Sequence, residues 1–469
     1  MRTLPHRVLL VDRPDPENIR RLDHAPLPML VAMERNGMRI DRDHIRTLHA
    51  KLTGEMEELQ SEVTKLTGHS INIASGDQLS HLLFHEMGLR QPGKEKRTKQ
   101  AKRLAADSDV LKGMIAQHAC IKPILDWKER EKLRSTYTYS LIAQCDAQDR
   151  VHPDINHTGP ETGRYACSAP NLTNIPTRTK LGQEIRKAFI PRPGNVLGSV
   201  DMSQIEMRQA AEDAKCPNLI KVFTDKLDLY WDVAEKVFCR VFTKEDREFG
   251  IDPDTGLTLK ELYRQAAKII ALGTIYDISP EGLLDQLLVF GAVPFLTGGE
   301  SKVWDYDRYF ETGVKRCADA IIAFFAPDGY PELLDRRKVH HRRAKKYGMA
   351  WDGFGRHRMI PQVYSTHRWI VSEGLRAAGN HPIQGFCAGL LKLWMACIWD
   401  HISTYWYLYG IEPLICVHDE VIVEGPKAAV EDFLAECGEI LCGLLPSSHY
   451  MTPLKASWAT AESWGTIKK

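Results

Sequence analysis

The 469-residue sequence predicts an α+β fold in which strands far apart in the chain build one antiparallel sheet and most of the remainder is helix. Three observations predict it. Helical periodicity runs from Ile45 to Leu66 and again over most of residues 204–400; an apolar run from Val196 to Val200 stops at Asp201; and Leu414 to Val417 faces Val421 to Val423 across His418-Asp419-Glu420. Apolar runs flanking a short polar turn read as a hairpin, which makes the pairing antiparallel.

From Asp41 the apolar stripe is Ile45, Leu48, Leu52, Met56, Leu59, Val63 and Leu66, in steps of three and four, and it stops at Gly68, a natural helix C-cap. A shorter helix with Leu79, Leu82, Leu83 and Met87 follows, then a polar, basic stretch from Gln91 to Arg103 expected as an exposed tip. Residues to about 145 therefore form a mostly helical module. Between about 150 and 178 turn residues dominate (Asn156-His157-Thr158-Gly159-Pro160, Ala169-Pro170-Asn171), and irregular chain of that length is often a binding segment. After Asp201, Ser203-Gln204-Ile205-Glu206 reads as a capping box that opens a helix over Met207 to Ala214. Gly/Pro-bearing loops near 250–256 and 292–301 interrupt the helices. Beyond the hairpin, Gly425-Pro426 places Pro in a first helical turn before a stripe of Val430, Phe433, Leu434, Cys437, Ile440, Leu441 and Leu444.

Composition is that of a soluble globular enzyme. No apolar stretch reaches the eighteen or so residues of a membrane span, and Met1 to Asp12 lacks a signal-peptide core, so no membrane association and a cytoplasmic location, bacterial or in a phage-infected host, are expected. The 11 cysteines include no CxxC pair, which argues against a zinc site or disulfide framework and for reduced thiols. A net charge of +1 hides local bias: basic clusters occupy Lys94–Arg103, Lys128–Arg134 and Arg336–Lys346. Such runs are usually solvated surface, but together they suit a phosphate-tracking groove.

A strand-end Asp is more often a turn residue or helix cap than a ligand. If the two edges meet, however, Asp201 and Asp419 face each other and suit two divalent cations about 3.5–4 Å apart, as in phosphoryl transfer. Hard oxygen ligands point to Mg²⁺. Arg264, Lys268, Leu272 and Tyr276, each four apart, form one row on a helix. The row suits a triphosphate at its cationic end and sugar and base at the other, or simply an amphipathic helix with its cations in water.

These segments together resemble the family-A DNA polymerases, the group of bacterial DNA polymerase I and many phage replicative enzymes, over residues 25–469. The motifs stand in family order: Thr162-Gly163-Arg164 through Pro170-Asn171-Leu172-Thr173-Asn174-Ile175-Pro176-Thr177-Arg178; Asp201 to Glu206; the Arg264, Lys268, Gly273, Tyr276 helix; Arg376 to Asn380 with Pro382-Ile383-Gln384-Gly385; and Val417 to Glu420. Glu34-Arg35-Asn36-Gly37 and Lys132 to Tyr137 also resemble the family's thumb.

The resemblance implies a right-hand polymerase fold: leader 1–24, helical thumb 25–148, palm 149–215 and 381–469, and helical fingers 216–380. It implies a DNA-templated DNA polymerase that extends a primer 3′-OH with dNTPs, using two Mg²⁺ ions for which Mn²⁺ can substitute. Asp201, Asp419 and the backbone carbonyl of Met202 are implied as metal ligands, with Glu420 in support and Lys268 as proton donor to pyrophosphate. Gln204, Glu206, Arg264, Lys268, Leu272 and Tyr276 are implied at the nucleotide, Glu206 as the steric gate against ribose. Arg164, Asn171, Asn174, Arg178, Arg376, Asn380, Gln384 and His418 are implied at the DNA. Primer–template DNA is the implied partner of a monomer, with room for a separate exonuclease or processivity factor, since no proofreading or 5′-nuclease domain fits in the residues before the thumb.

The sequence departs from the family pattern at Leu272, usually Phe or Tyr; Asp277, usually Gly; Cys416, usually Gln; and Tyr165-Ala166-Cys167, usually Leu-Ser-Ser. A single-subunit RNA polymerase, the nearest rival, is disfavoured by Glu206. A non-catalytic binding protein is disfavoured by intact Asp201, Asp419, Arg264 and Lys268.

Overall fold

A computed structural model describes residues 5–91, 95–98, 102–115, 117–177, 179–253, 256–289 and 306–468. The loop expected at 292–301, part of the basic stretch at 91–103, and Arg178 lie outside the described residues. At the centre is a four-stranded antiparallel sheet made of β1 (Val196–Met202), β2 (Glu412–Val417), β3 (Glu420–Gly425) and β4 (Ala456–Ala461), in the order β4-β1-β3-β2. Both β1 and β3 are almost wholly buried, which explains why they read as continuous apolar runs instead of alternating ones. The Asp201 strand and the hairpin are thus hydrogen-bonded neighbours. β4 has no apolar run, and the sequence pattern does not reveal it.

Helix α1 (Pro16–His24) packs against the long helix Arg368–Thr404, and helix α2 (Leu27–Asn36) packs beside β2 of the sheet. The segment expected as a leader is in the main core: Val8 and Leu22 are fully buried, and the Asn18 amide donates to the carbonyls of Leu9 and Phe354. Helix α3 (Arg42–Thr67) matches the predicted stripe, with Asp41 accepting from the His44 N–H at 2.9 Å and Gly68 closing the helix at φ 74°. This helix joins two cores. Ile45, Leu48 and Leu52 pack with Leu414, Ile415 and Ile422 of the sheet hairpin, while Met56 and Val63 pack with Ile73, Leu79, Leu83, Ile121 and Ile124 at the far end. Leu66, in contrast, is exposed. Each fully buried Leu or Ile contributes about 1.5–3 kcal/mol, so the stripe fixes the helix to both bodies. After Gly76–Ser80, the turn His81–Glu86 widens to π-type hydrogen bonding, so that the consecutive Leu82, Leu83 and Phe84 are all buried.

Helix α4 (Ile205–Ala214) begins one residue later than a Ser203 cap requires. Gln204 holds the N-cap position at φ 54° and makes no side-chain cap bond, so the expected capping box is absent: the Ser203 hydroxyl bonds Ser457 and the Glu206 carboxylate bonds Arg164. Helices α5 (Leu229–Phe238) and α6 (Gln265–Ile275) pack together, and α6 shares a satellite core with Pro280–Val289 and Tyr306–Phe324 through Ile269, Ile270, Leu283, Leu284, Cys317 and Ala320. Helix α7 (Pro331–Tyr347) leads to a small hairpin, Met349–Trp351 with His357–Met359, that the helical reading of 204–400 did not include. The irregular 150–178 segment holds Asp154–Asn156 paired with Ala166–Ser168.

Helix α8 (Arg368–Thr404) crosses the core. By length and composition it could span a membrane, contrary to the expectation that no stretch is apolar enough; its best 18-residue window has mean hydropathy 1.2, but 89% of that window is buried inside the fold. That window is mostly apolar because protein surrounds it, whereas the first turns of the helix, with Arg368, Glu373 and Arg376, are exposed. Helix α9 (Lys427–Gly443) covers β1 and β4 with Val430, Phe433, Leu434, Cys437 and Leu441 buried, and Pro426 sits at its N-cap, just outside the predicted first turn. All the cysteines are free thiols.

Candidate active site

Asp201 is the next-to-last residue of β1, directly opposite Glu420 on β3 and Ser457 on β4. The hairpin closes on the pair Val417 and Glu420, leaving His418-Asp419 as its two turn residues. His418 takes φ 58°, the left-handed region that a two-residue hairpin needs at its first position and that non-glycine residues adopt at some cost. The Asp419 carbonyl then accepts the Met202 N–H at 3.2 Å, which fastens the turn to the end of β1 and brings the two aspartates to one edge.

Their electrostatics follow from that placement. Burial, then the charge of Asp201, then Glu206 and Glu420, push the Asp419 carboxyl up to about 6. Hydroxyls orient the neighbouring carboxylates: Ser457 Oγ donates to Asp201, and Ser199 Oγ donates to Glu420. Burial and the cations Arg164 and Arg186 push the His418 imidazole below its ordinary range. Among the described residues no three His, Cys, Asp or Glu side chains gather as a closed metal site. Two carboxylates with a nearby backbone carbonyl fit a Mg²⁺ ion that takes its other ligands from water and phosphate, and the raised Asp419 carboxyl is what burial beside like charge produces.

Beside the aspartates, Arg164 Nη2 donates to Glu206 Oε1. Burial alone would depress the guanidinium, but Glu206 outweighs it and the net shift is upward. The Tyr276 hydroxyl is buried close enough to Glu206 to feel its charge, without a well-formed hydrogen bond, and burial with that charge keeps it protonated.

Of the predicted row, Lys268 and Leu272 lie within α6, while Arg264 closes the π-type turn Lys260–Arg264 before it and Tyr276 caps its C-terminal end. Arg264 Nε donates to Asp228 Oδ2 at 3.0 Å and its guanidinium lies 5.2 Å from the Tyr230 ring centre, while Lys268 Nζ lies 5.6 Å from the same ring. Asp228 also caps α5 through the Tyr230 and Trp231 N–H groups, so the carboxylate that orients Arg264 is itself held rigidly. Leu272 is half-buried against the core. Asp277, just past the helix, takes φ 60° and pairs with Arg337 of α7 at 2.9 Å. That conformation explains why glycine suits the position and why Asp, which tolerates it, can replace it.

A family model described as DNA polymerase family A matches residues 42–466. The chain belongs to DNA polymerase family A. It is 31% identical over 442 residues to the thermostable DNA polymerase I of Thermus thermophilus, covering 94% of this chain and 47% of that protein. It is also 31% identical over 448 residues to DNA polymerase I of Rhizobium leguminosarum, covering 95% and 40%. The chain thus spans about half the length of the relatives it matches. A solved structure, the POL domain of Pol1 from M. smegmatis in complex with DNA primer-template and dNTP, superposes with a TM-score of 0.78 at 25% identity, covering 96% of this chain and 72% of that one. The family-A fold is the right hand, with an antiparallel palm sheet and helical fingers and thumb.

Other predicted residues of this family-A chain lie on separate elements. Asn171 is exposed and its side chain accepts from Thr173 Oγ1 and the Asn174 N–H, so it caps a short 3₁₀ turn; the Asn174 carbonyl accepts from Tyr137. Arg376 is exposed on α8 and bonds Ser372, while Asn380 and Gln384 are half-buried further along the same helix, Asn380 Oδ1 without a partner. Sequence reasoning missed Ser199, Ser457, Asp228 and Tyr230, which orient the carboxylates and cations. It also missed Arg186, buried over the Trp464 ring at 3.8 Å and bonded to the Ile175 carbonyl. Ser199 was within reach, two residues before Asp201 and hence on its face of the strand; the others depend on elements no local pattern joins.

Proposed function

We propose that this chain is a DNA-templated DNA polymerase that extends a primer 3′-OH with dNTPs by nucleotidyl transfer. The observation that carries the reading is the meeting of Asp201 and Asp419 at one sheet edge, with the Asp419 carboxyl pushed up by burial and then by its neighbour's charge. Asp201, Asp419 and the Met202 carbonyl would hold two Mg²⁺ ions, or Mn²⁺ in their place, which when bound favour the primer alkoxide and neutralise the phosphate oxygens. Arg264 and Lys268 bind the incoming phosphates, and Lys268 gives a proton to the departing pyrophosphate. Glu206 fills the space a 2′-hydroxyl would need, Leu272 packs on the sugar, Tyr276 stacks near the templating base, and Gln204 lies with them at the nucleotide. Glu420 holds the edge.

Every correct base pair presents a purine N3 and a pyrimidine O2 in the minor groove, so donors placed there test pair geometry without reading sequence. Arg164 and Gln384 supply such donors beside the primer terminus, with Arg376, Asn380 and His418 around it and Asn171, Asn174 and Arg178 along the duplex. In this reading the thumb is 25–148, the palm 149–215 and 381–469, and the fingers 216–380.

Primer extension tests the reading, with dNTPs or NTPs and Mg²⁺, comparing wild type with Asp419→Ala. Template-directed extension with dNTPs that the variant lacks is expected. Equal extension by both proteins, or preference for NTPs, overturns it.

A further inference from the structure

Away from the carboxylates, two cations are buried together in the core: Lys392 of α8 is fully buried and Arg356 is 9% exposed. A buried cation is costly unless paired and hydrogen-bonded. Both meet one carboxylate, Asp23, at the end of α1. Lys392 Nζ donates to Asp23 Oδ1 at 2.7 Å, Arg356 Nη1 donates to Asp23 Oδ2 at 3.2 Å, and Arg356 Nη2 donates to Asp23 Oδ1.

What the two cations touch on their other side is the loop that carries Arg164. Lys392 Nζ donates to the His157 carbonyl at 2.8 Å and lies 5.3 Å from the Tyr165 ring centre. The Arg356 guanidinium lies against Gly163, which has φ 77°, so close that a Cβ there would overlap Arg356 Nε. Arg358 adds an ion pair to Glu161 at 2.6 Å. The loop is therefore held at His157, Glu161, Gly163 and Tyr165, and between the last two Arg164 reaches out to Glu206.

We propose that Asp23 is a positioning residue for Arg164: by pairing with Lys392 and Arg356 it holds the floor on which the 157–165 loop rests, and so sets how Arg164 meets the primer-terminal base pair. This rests on the proposed role of Arg164. The electrostatics agree, since burial alone would raise the Asp23 carboxyl yet Arg356 and Lys392 hold it below the usual range, while burial brings the Lys392 ammonium down to about 8.

Single-turnover extension from matched and mismatched primer termini tests the proposal, with Asp23→Asn, Asp23→Glu, Lys392→Gln, Arg164→Ala and the Asp23→Asn/Arg164→Ala double variant. Asp23→Asn is expected to slow extension from a matched terminus on the order of ten- to a hundredfold, as small misplacements of catalytic groups do, with KM for dNTP little changed. It should also narrow the ratio between matched and mismatched termini. Asp23→Glu should restore part of the rate, and the double variant should be no slower than Arg164→Ala, because both changes remove one contact. Lys392→Gln keeps a donor for His157 and the Asp23–Arg356 pair, and gives a second, milder route to the same non-additive loss. A folded Asp23→Asn or Lys392→Gln protein that extends like wild type, or losses that multiply fully with Arg164→Ala, overturns the proposal. If Arg164→Ala itself extends both termini like wild type, the role of Arg164 fails and this inference with it.

Discussion

Arg164 and Glu206 form an ion pair that ties the 157–165 loop to the first turn of α4, with the Tyr276 hydroxyl buried beside it. Neither residue is explained by its local sequence. In the proposed reaction one side of this pair meets the primer terminus and the other the incoming sugar, so nucleotide selection and terminus checking share a single electrostatic contact.

Removing Glu206 opens the space at the sugar and releases Arg164. Glu206→Ala is expected to raise ribonucleotide use relative to deoxyribonucleotide by about tenfold or more. Single-turnover incorporation of each nucleotide measures it, and unchanged discrimination would remove Glu206 from the gate.

Asp419 is held near a like charge in a partly buried turn, so its ionised form costs stability. Asp419→Asn should abolish extension while raising stability by about 1–2 kcal/mol in metal-free buffer. Because the folded carboxyl titrates at about 6, the gain should be larger at pH 8 than at pH 5. Urea midpoints at the two pH values decide the matter; a stability loss at pH 8 would mean that the carboxylate is compensated after all.

Leu272 offers the sugar no hydroxyl. Dideoxynucleotides are expected to be poor substrates, and Leu272→Tyr is expected to improve their incorporation relative to dNTPs by about tenfold, the scale of one added hydrogen bond. Equal chain termination by the two proteins would sink the assignment.

Asp352 is 3% exposed; its Oδ1 accepts from the N–H groups of Phe354 and Arg356, but its Oδ2 has no partner and faces Gly385 of α8. Burial pushes this carboxyl up to about 7. A folded pKa above the unfolded value of about 3.9 means that its contribution to stability is present below pH 4 and lost as pH rises through 7. Asp352→Asn cannot ionise, so its stability relative to wild type should grow between pH 5 and 8 and then level off, by about 1–3 kcal/mol. Parallel pH dependences in urea unfolding would show that Asp352 does not titrate in this range.

The parts of the fold legible in the sequence are those whose signal is local. The α3 stripe with its Asp41 and Gly68 caps, the Asp201 strand and the His418-Asp419 hairpin all emerge from periodicity and turn chemistry within one segment. The failures share one cause, that a tertiary partner outbid a local pattern. Ser203 and Glu206 have the spacing of a capping box, yet Ser457 and Arg164 take their side chains. The α8 helix passes by composition for a membrane span because most of its apolar window is buried inside the fold.

By itself the sequence determined the α+β class and the family, and it supplied the candidate chemistry-bearing residues, because residue type and spacing along one strand or helix are properties of the chain. Only the tertiary structure decided that β1 and the hairpin lie side by side, that Arg164 pairs with Glu206, and that Asp23 pairs with both Lys392 and Arg356 beneath the Arg164 loop. Those contacts join residues tens to hundreds of positions apart, and their energies depend on burial that no single segment possesses until the whole chain has folded.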